Sequence, residues 1–377
     1  MGSGSKPFLI EKRRFKQSKR IYIKLVAALV IGIIGLTACG LAQGAPAGGT
    51  SSTPAEPASP TVETLAATST ASPAPAASAA TATPIPPTQT LTPTETPTPV
   101  LLVGAGDIAV CDSPGAEITA RLIEHALLGA PGAAVFTAGD NTNELVTDPA
   151  PLKPCFDRTW GRFKERIRPA PGNHDYFYAG ASDYFAYFGA AAGQPGQGWY
   201  SYDLGGMPPN SGGWHIDVLN SECDQVGGCQ AGSPQEIWLK ADLAAHPALC
   251  SLAIWHRPRY SSGYHGSLPA TQDLWQDLYA AGAELVISGH DHDYERFAPV
   301  DAEGNPDPAH GITQFVVGTG GVPGPGAIRP THAANSQVII TGVYGVLKLS
   351  LRPDGYDWAF VAEPGKSDTD GGSGKCH

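Results

Sequence analysis

Short apolar runs closed by polar clusters recur from residue 100 onward. Runs at 100–103 and 134–137 lead into Gly104-Ala105-Gly106-Asp107 and Gly139-Asp140-Asn141. Further strands are predicted at 214–219, 252–256 and 284–288, the last ending in Gly289-His290-Asp291-His292. Between them, apolar positions spaced three and four apart predict helices at 117–128, 234–246 and 271–281. Residues 312–317, 342–351 and 356–362 read as β-rich. Strands alternating with helices predict an α/β domain, in which ligands gather beyond the strand ends. Asp, Asn or His stands at several such ends, and the coincidence says more than any one position.

The first 98 residues follow other rules. Lys12, Arg13, Arg14, Lys16, Lys19 and Arg20 precede an uncharged apolar run over 25–38. As a helix that run covers about 21 Å, short of the ~30 Å hydrocarbon core. A basic flank, a short apolar stretch and small residues at its end describe a secretory signal over 1–38. The end, Leu36-Thr37-Ala38-Cys39-Gly40, resembles the lipobox of bacterial lipoproteins. That resemblance implies cleavage before Cys39, a lipid on its thiol, and a domain anchored on the outer face of the cell membrane. Residues 39–98, rich in Ala, Thr, Pro and Ser, lack the large apolar residues a core needs and are expected to form a disordered tether. One domain is then expected over 99–366, with a flexible tail over 367–377.

Charge narrows the options. The chain carries 24 basic and 35 acidic residues, and from residue 100 onward the balance is 16 against 31, a net of −15. Such a surface repels phosphate backbones, which argues against nucleic-acid binding. Only one segment approaches spanning length, which excludes a polytopic membrane protein. Apart from Cys39, six cysteines remain, at 111, 155, 223, 229, 250 and 376. In an exported chain these predict up to three disulfides, with Cys223 and Cys229 the shortest loop and the other connectivities open.

Taken singly, the polar signatures have ordinary explanations: Asp107 could cap a turn, Asp140-Asn141 could form an Asx turn, and His256 could be a satisfied core histidine. His290 and His292 are stronger, because side chains two apart at a strand end face one way. Together the set offers carboxylate, amide and imidazole ligands suited to two adjacent metals.

The ordered blocks Gly106-Asp107, Gly139-Asp140-Asn141, Gly172-Asn173-His174-Asp175, His256 and Gly289-His290-Asp291-His292 resemble the calcineurin-like metallophosphoesterases, and among them the purple acid phosphatase-like branch. The resemblance implies a four-layer α-β-β-α sandwich of two mixed sheets. It also implies hydrolysis of a phosphate ester by a hydroxide bridging two divalent or trivalent ions (Fe, Mn or Zn). Asp107 and His292 would hold the first ion, Asp140 would bridge, and Asn173, His256 and His290 would complete the second. His174 corresponds to the acid that meets the phosphoryl group, with Asp175 beside it, and His265 to a substrate-binding histidine. Two positions depart from the pattern. Ala109 stands where many members have a His, and Asn143 where the purple enzymes have a Tyr, so the first site is expected to be weakened, with either the Asn143 amide oxygen or a water in the vacant position. A phosphomonoesterase is expected; a phosphodiesterase, a nucleotide pyrophosphatase and a non-catalytic surface lipoprotein are the alternatives. A metallo-β-lactamase is ruled out, since Tyr294 and Glu295 occupy positions where H-x-H-x-D-H requires Asp and His.

Overall fold

The computed structural model describes residues 99–144, 150, 152–205, 213–324 and 326–377. The expected signal, Cys39 and the tether lie outside the described residues. Strands β1 (Val100–Ala105), β2 (Ala134–Ala138) and β3 (Ile167–Ala170) run parallel. β1 also pairs antiparallel with β11 (Gly345–Arg352), and the sheet continues through β12 (Gly355–Ala362) to β13 (Asp370–Lys375). The order is β13-β12-β11-β1-β2-β3.

The second sheet contains β4 (Tyr200–Leu204), β5 (Trp214–Val218), β6 (Cys250–Ile254), β7 (Leu285–Ser288), β8 (Tyr294–Phe297), β9 (Thr313–Val317) and β10 (Ser336–Ile340). Its order is β10-β8-β9-β7-β6-β5-β4, with β5, β6, β7 and β9 parallel and the remaining pairs antiparallel. Both sheets are therefore mixed, as expected.

Burial explains the layering. Leu252 and Ile254 of β6 and Leu285 and Ile287 of β7 share one core with Leu347 and Leu349 of the first sheet. Tyr294 of β8 stacks on Phe360 of β12 with ring centroids 4.3 Å apart, which joins the sheets directly. The alternate residues Ala253 and Val286 face helices α3 (Pro234–Ala245) and α4 (Gln272–Ala280), where Leu239, Leu274, Trp275 and Leu278 are buried. Strands covered on both faces read as continuous apolar runs, and all of β6 and β7 is buried. Helix α1 (Gly115–Ala126) turns Ala116, Ala120 and Ile123 inward over the first sheet, and α2 (Ser182–Phe188) buries Tyr184, Phe185 and Phe188. Helix α3 begins where expected: Ser233 accepts a hydrogen bond from the Glu236 amide at 3.3 Å, and Pro234 occupies the first turn.

The flexible tail expected over 367–377 is corrected. Residues Asp370–Lys375 form β13, paired antiparallel with β12. Its run Asp-Gly-Gly-Ser-Gly-Lys has no apolar alternation, so nothing in the pattern announces a strand. The glycines let the backbone lie against aromatic rings; a Cβ on Gly372 would fall 2.4 Å from the Trp358 ring. Cys376 then closes a disulfide with Cys250 at the start of β6, and His377 Nδ1 meets Glu284 at 2.9 Å. Disulfides also join Cys111 to Cys155 and Cys223 to Cys229. Among the described residues, no helix is long and apolar enough to cross a membrane.

Candidate metal centre

Five parallel strands deliver the polar blocks to one place. β1, β2 and β3 of one sheet lead into Asp107, Asp140 and Asn173-His174; β6 and β7 of the other lead into His256 and His290–His292. The side chains converge where the two sets of strand ends meet. Asp140, His256 and His290 each present a ligand atom within 4.8 Å of the others, and all three are buried.

The atoms around His256 define the centre. Its Nδ1 lies 2.9 Å from the Ala138 carbonyl, which makes Nδ1 the N–H donor and turns Nε2 inward. Nε2 is 3.1 Å from Asn173 Oδ1, 3.3 Å from Asp140 Oδ2 and 3.1 Å from His290 Nδ1. Two of these, the Asp140 and Asn173 oxygens, are acceptors, and a single proton on Nε2 cannot serve both. Asp107 adds a buried oxygen, Oδ1, with no hydrogen-bond donor; it stands 3.4 Å from His292 Nε2, while its Oδ2 accepts from the His290 amide at 2.7 Å. Imidazoles, carboxylates and an amide oxygen converging on one point fit metal ions.

Proton affinities follow the same crowding. Burial works against a charged His256, but the Asp140 carboxylate outweighs it and pushes the imidazole up to about 10. Burial and the neighbouring His256 drive His290 far below the usual histidine range. His292 is raised, because its contact with Asp107 outweighs its burial.

The other expected site residues are not equivalent. His174 donates its amide hydrogen to Asp140 Oδ1 at 2.8 Å, and its ring, partly open to solvent, packs on Phe177 with centroids 4.5 Å apart. Its Nε2 is 3.8 Å from Asp140 Oδ2, at the edge of the centre. His265 joins the group, its ring 4.3 Å from that of His290, and burial lowers its proton affinity. Asp175 points away. It is buried, and its Oδ2 accepts from the Gly172 amide at 2.8 Å and from Asn141 Nδ2 at 3.1 Å. Burial, with the nearby Asp140 charge, pushes it up to about 8. Its place is that of a positioning group behind the loop that carries Asn173 and His174. Asn143 donates its side-chain amide to the Asp140 carbonyl at 3.3 Å and makes no hydrogen bond to the other expected ligand side chains. Ala109 is buried and bridged to Thr142.

Three residues were not anticipated. Asp291, between the two histidines, accepts from the His265 amide at 2.7 Å, the Gly266 amide at 3.1 Å and the Ser261 hydroxyl at 2.5 Å, and so shapes the loop bearing His265. Arg257 places Nη1 3.1 Å from His290 Nε2 and pairs with Glu222 at 2.7 Å. Both Arg257 and Glu222 line a cavity of about 510 Å³ that also touches Asn173 and Phe177. Only the adjacency of Arg257 to His256 and of Asp291 to His290 hinted at them.

A two-sheet α/β sandwich with such ligands at facing strand ends defines a metal-site fold of the phosphoesterase class. The chain belongs to the calcineurin-like phosphoesterase family, which matches it over residues 102–294 and whose members use metal ions. It is 29% identical over 201 residues to acid phosphatase type 7 of Homo sapiens, covering 44% of this chain and 41% of that one. It is 27% identical over 212 residues to purple acid phosphatase 23 of Arabidopsis thaliana, covering 47% and 44%. The chain thus spans under half the length of these curated relatives. In fold it is similar to a purple acid phosphatase from yellow lupin (Lupinus luteus) seeds, with a TM-score of 0.56, 19% identity, and coverage of 74% of this chain and 54% of that one. It is also similar to an anchor protein of the inner membrane complex of Plasmodium, with a TM-score of 0.54, 15% identity, and coverage of 74% and 89%.

Proposed function

We propose that this chain is an exported, metal-dependent phosphatase, anchored by a lipid on Cys39, that cleaves phosphate monoesters to phosphate and an alcohol. The observation that carries the reading is the convergence of Asp140, Asn173 and His290 on His256 Nε2, beside an orphaned Asp107 oxygen and an open cavity. Asp107, Asp140, Asn173, His256, His290 and His292 are the residues that would hold metal. Bound there, metal ions neutralise phosphate charge and supply an activated water.

The protein's own groups divide the remaining work. His265 and Arg257 flank His290 on the cavity side and offer N–H groups to phosphate oxygens. His174 stands at the opposite edge, held by its amide bond to Asp140, where it can protonate a departing alkoxide. Asp175 and Asp291 keep the two histidine loops in register. Glu222 and Asp224 line the cavity, so a leaving group carrying more phosphate would meet negative charge. That lining favours monoesters over nucleotide anhydrides. The three disulfides accord with an oxidising compartment.

Full-length protein, stripped of metal and reloaded separately with Zn, Mn or Fe, should be assayed on alkyl and aryl monoesters, diesters and nucleoside di- and triphosphates. Turnover should require metal and be fastest on monoesters. Faster cleavage of diesters or anhydrides would reassign the substrate. Full metal loading without turnover on any of them would support the non-catalytic alternative, which the incomplete surroundings of the first site favour.

A further inference from the structure

On its helix-covered face, the second sheet presents the apolar Ala253 and Val286 from β6 and β7. β5 breaks that rule. Its residues on this face are His215 and Asp217, both buried. Asp217 is fully buried, and neither of its carboxylate oxygens has a hydrogen-bond partner. Leaving such a group unpaired away from water is costly. Helix α3 faces it with Asp242 and His246, one turn apart on the same side.

Ligand atoms of His215, Asp242 and His246 lie within 4.8 Å of one another, and Asp217 stands beside that trio. His215 Nε2 lies 2.8 Å from Asp242 Oδ2 and 3.8 Å from Asp217 Oδ1, and His246 Nδ1 lies 3.4 Å from Asp242 Oδ1. Ligands around a tetrahedral zinc with bonds of about 2.0–2.1 Å stand roughly 3.3 Å apart. On the far side of the ring, His215 Nδ1 meets Asp203 Oδ1 of β4 at 2.9 Å. A carboxylate behind a histidine fixes its tautomer and orients the other nitrogen, as it does for metal-bound histidines. The His215 and His246 rings are nearly parallel, 4.9 Å apart at 12°. His246 Nδ1 also contacts the Asp242 backbone carbonyl at 3.0 Å, a bond it would exchange for a metal.

We propose that His215, Asp217, Asp242 and His246 form a second metal site, for a divalent transition cation of the zinc type, distinct from the strand-end centre. Val218 pairs with Ile254, so His215 lies about five residues, roughly 17 Å along the strands, below the level of His256. With Asp217 drawn in to the His215–Asp242–His246 trio, four protein ligands would close the coordination shell, which would make the site structural rather than catalytic. Its effect is to fasten the C-terminal turn of α3 to the β4–β5 edge. The ordinary alternative is a protonated His215 between Asp203 and Asp242 with Asp217 sharing a proton with Asp242, and the metal count separates the two.

The test uses full-length protein, metal-stripped and then loaded with zinc or cobalt, in wild type, Asp217→Asn and His246→Ala. Zinc is counted by elemental analysis, and the cobalt form is examined for the visible bands of a tetrahedral ion. Asp217→Asn preserves volume, and His246 is half exposed, so both variants should fold, as circular dichroism will verify. Each variant should bind one zinc fewer per chain than wild type, lose the tetrahedral cobalt bands, and keep its phosphatase turnover. Zinc should raise the melting temperature of wild type beyond any rise in Asp217→Asn. A folded Asp217→Asn protein that retains the full zinc count overturns the proposal, as does a wild type without tetrahedral cobalt bands. Neither result depends on whether the strand-end centre is catalytic.

Discussion

Asp107, Asp140 and His290 have φ of 58°, 48° and 71°, three of the five positive values at non-glycine positions among the described residues. L-residues held there carry strain on the order of 1–3 kcal/mol each. The strands end so abruptly that only this turn sends the side chains into the gap between the sheets, and backbone bonds hold it: Asp107 donates to the Gly139 carbonyl at 3.1 Å. Gly172 is part of the same packing, since a Cβ there would lie 2.3 Å from the Asp140 amide nitrogen. The residue types of the centre were legible in the sequence because ligand chemistry is a property of the side chain. Their strain was not, because it arises only when five strand ends meet. At this scale His174 is the sharpest probe. His174→Ala should lower turnover roughly 10²–10⁴-fold on alkyl phosphates, which need a proton on the leaving oxygen. Aryl phosphates should lose much less, because phenolate departs more readily without one. Steady-state kinetics on both classes decide it, and equal losses would assign His174 to binding.

The elements that the apolar pattern did not announce share a position. β3, β4, β10 and β13 are the four outer strands of the two sheets, and β8 is the fifth omission. An edge strand has one neighbour and one ladder, so its burial is incomplete and its sequence is free to carry Arg168, Pro169 or the glycines of β13. The inner strands other than β8, paired on both sides, had to be apolar and were read to within a few residues. β13 is tied down by polar contacts instead. Asp370 accepts from Arg296 Nε and from the Tyr294 hydroxyl, each at 2.7 Å, both on β8 of the other sheet. Burial would raise this carboxyl, but the Arg296 and Tyr294 bonds outweigh it and hold it below the ordinary range. Asp370→Asn should therefore destabilise the protein by about 1–3 kcal/mol at neutral pH, as hydrogen bonds to a charged group are lost. Because the folded carboxyl is depressed, that contribution is complete above the unfolded value of about 4 and disappears as pH falls through the folded value. Urea titrations should show the gap between wild type and variant closing on acidification; a gap that is constant with pH would show that the ion pair is not its source.

For the whole molecule, a domain of net charge −15 follows a basic, then a proline-rich, stretch of sequence. Like-charged domain and phosphate repel, so ions at the strand ends must dominate the local field if the substrate is to enter. The proposed lipid at Cys39 would hold that domain at a membrane surface. Cys39→Ala should abolish incorporation of labelled fatty acid and release the lipoprotein-specific processing step, while catalysis by the purified protein stays unchanged. Labelling that persists in the variant would remove the anchor from the account.

Local chemistry was enough to name the candidate ligands, their order along the chain and the α/β class, and, through the resemblance those blocks carry, the family. The tertiary structure alone decided which of those residues act together. Asp175 and Asn173 are near neighbours in sequence, yet one faces the loop backbone and the other faces His256. Arg257 and Glu222 become cavity partners although 35 positions separate them. His215 and Asp242 meet only because α3 packs across β5. Such contacts depend on how strands order and helices cross, which follow from burying both faces of two sheets at once, a constraint carried by no single segment.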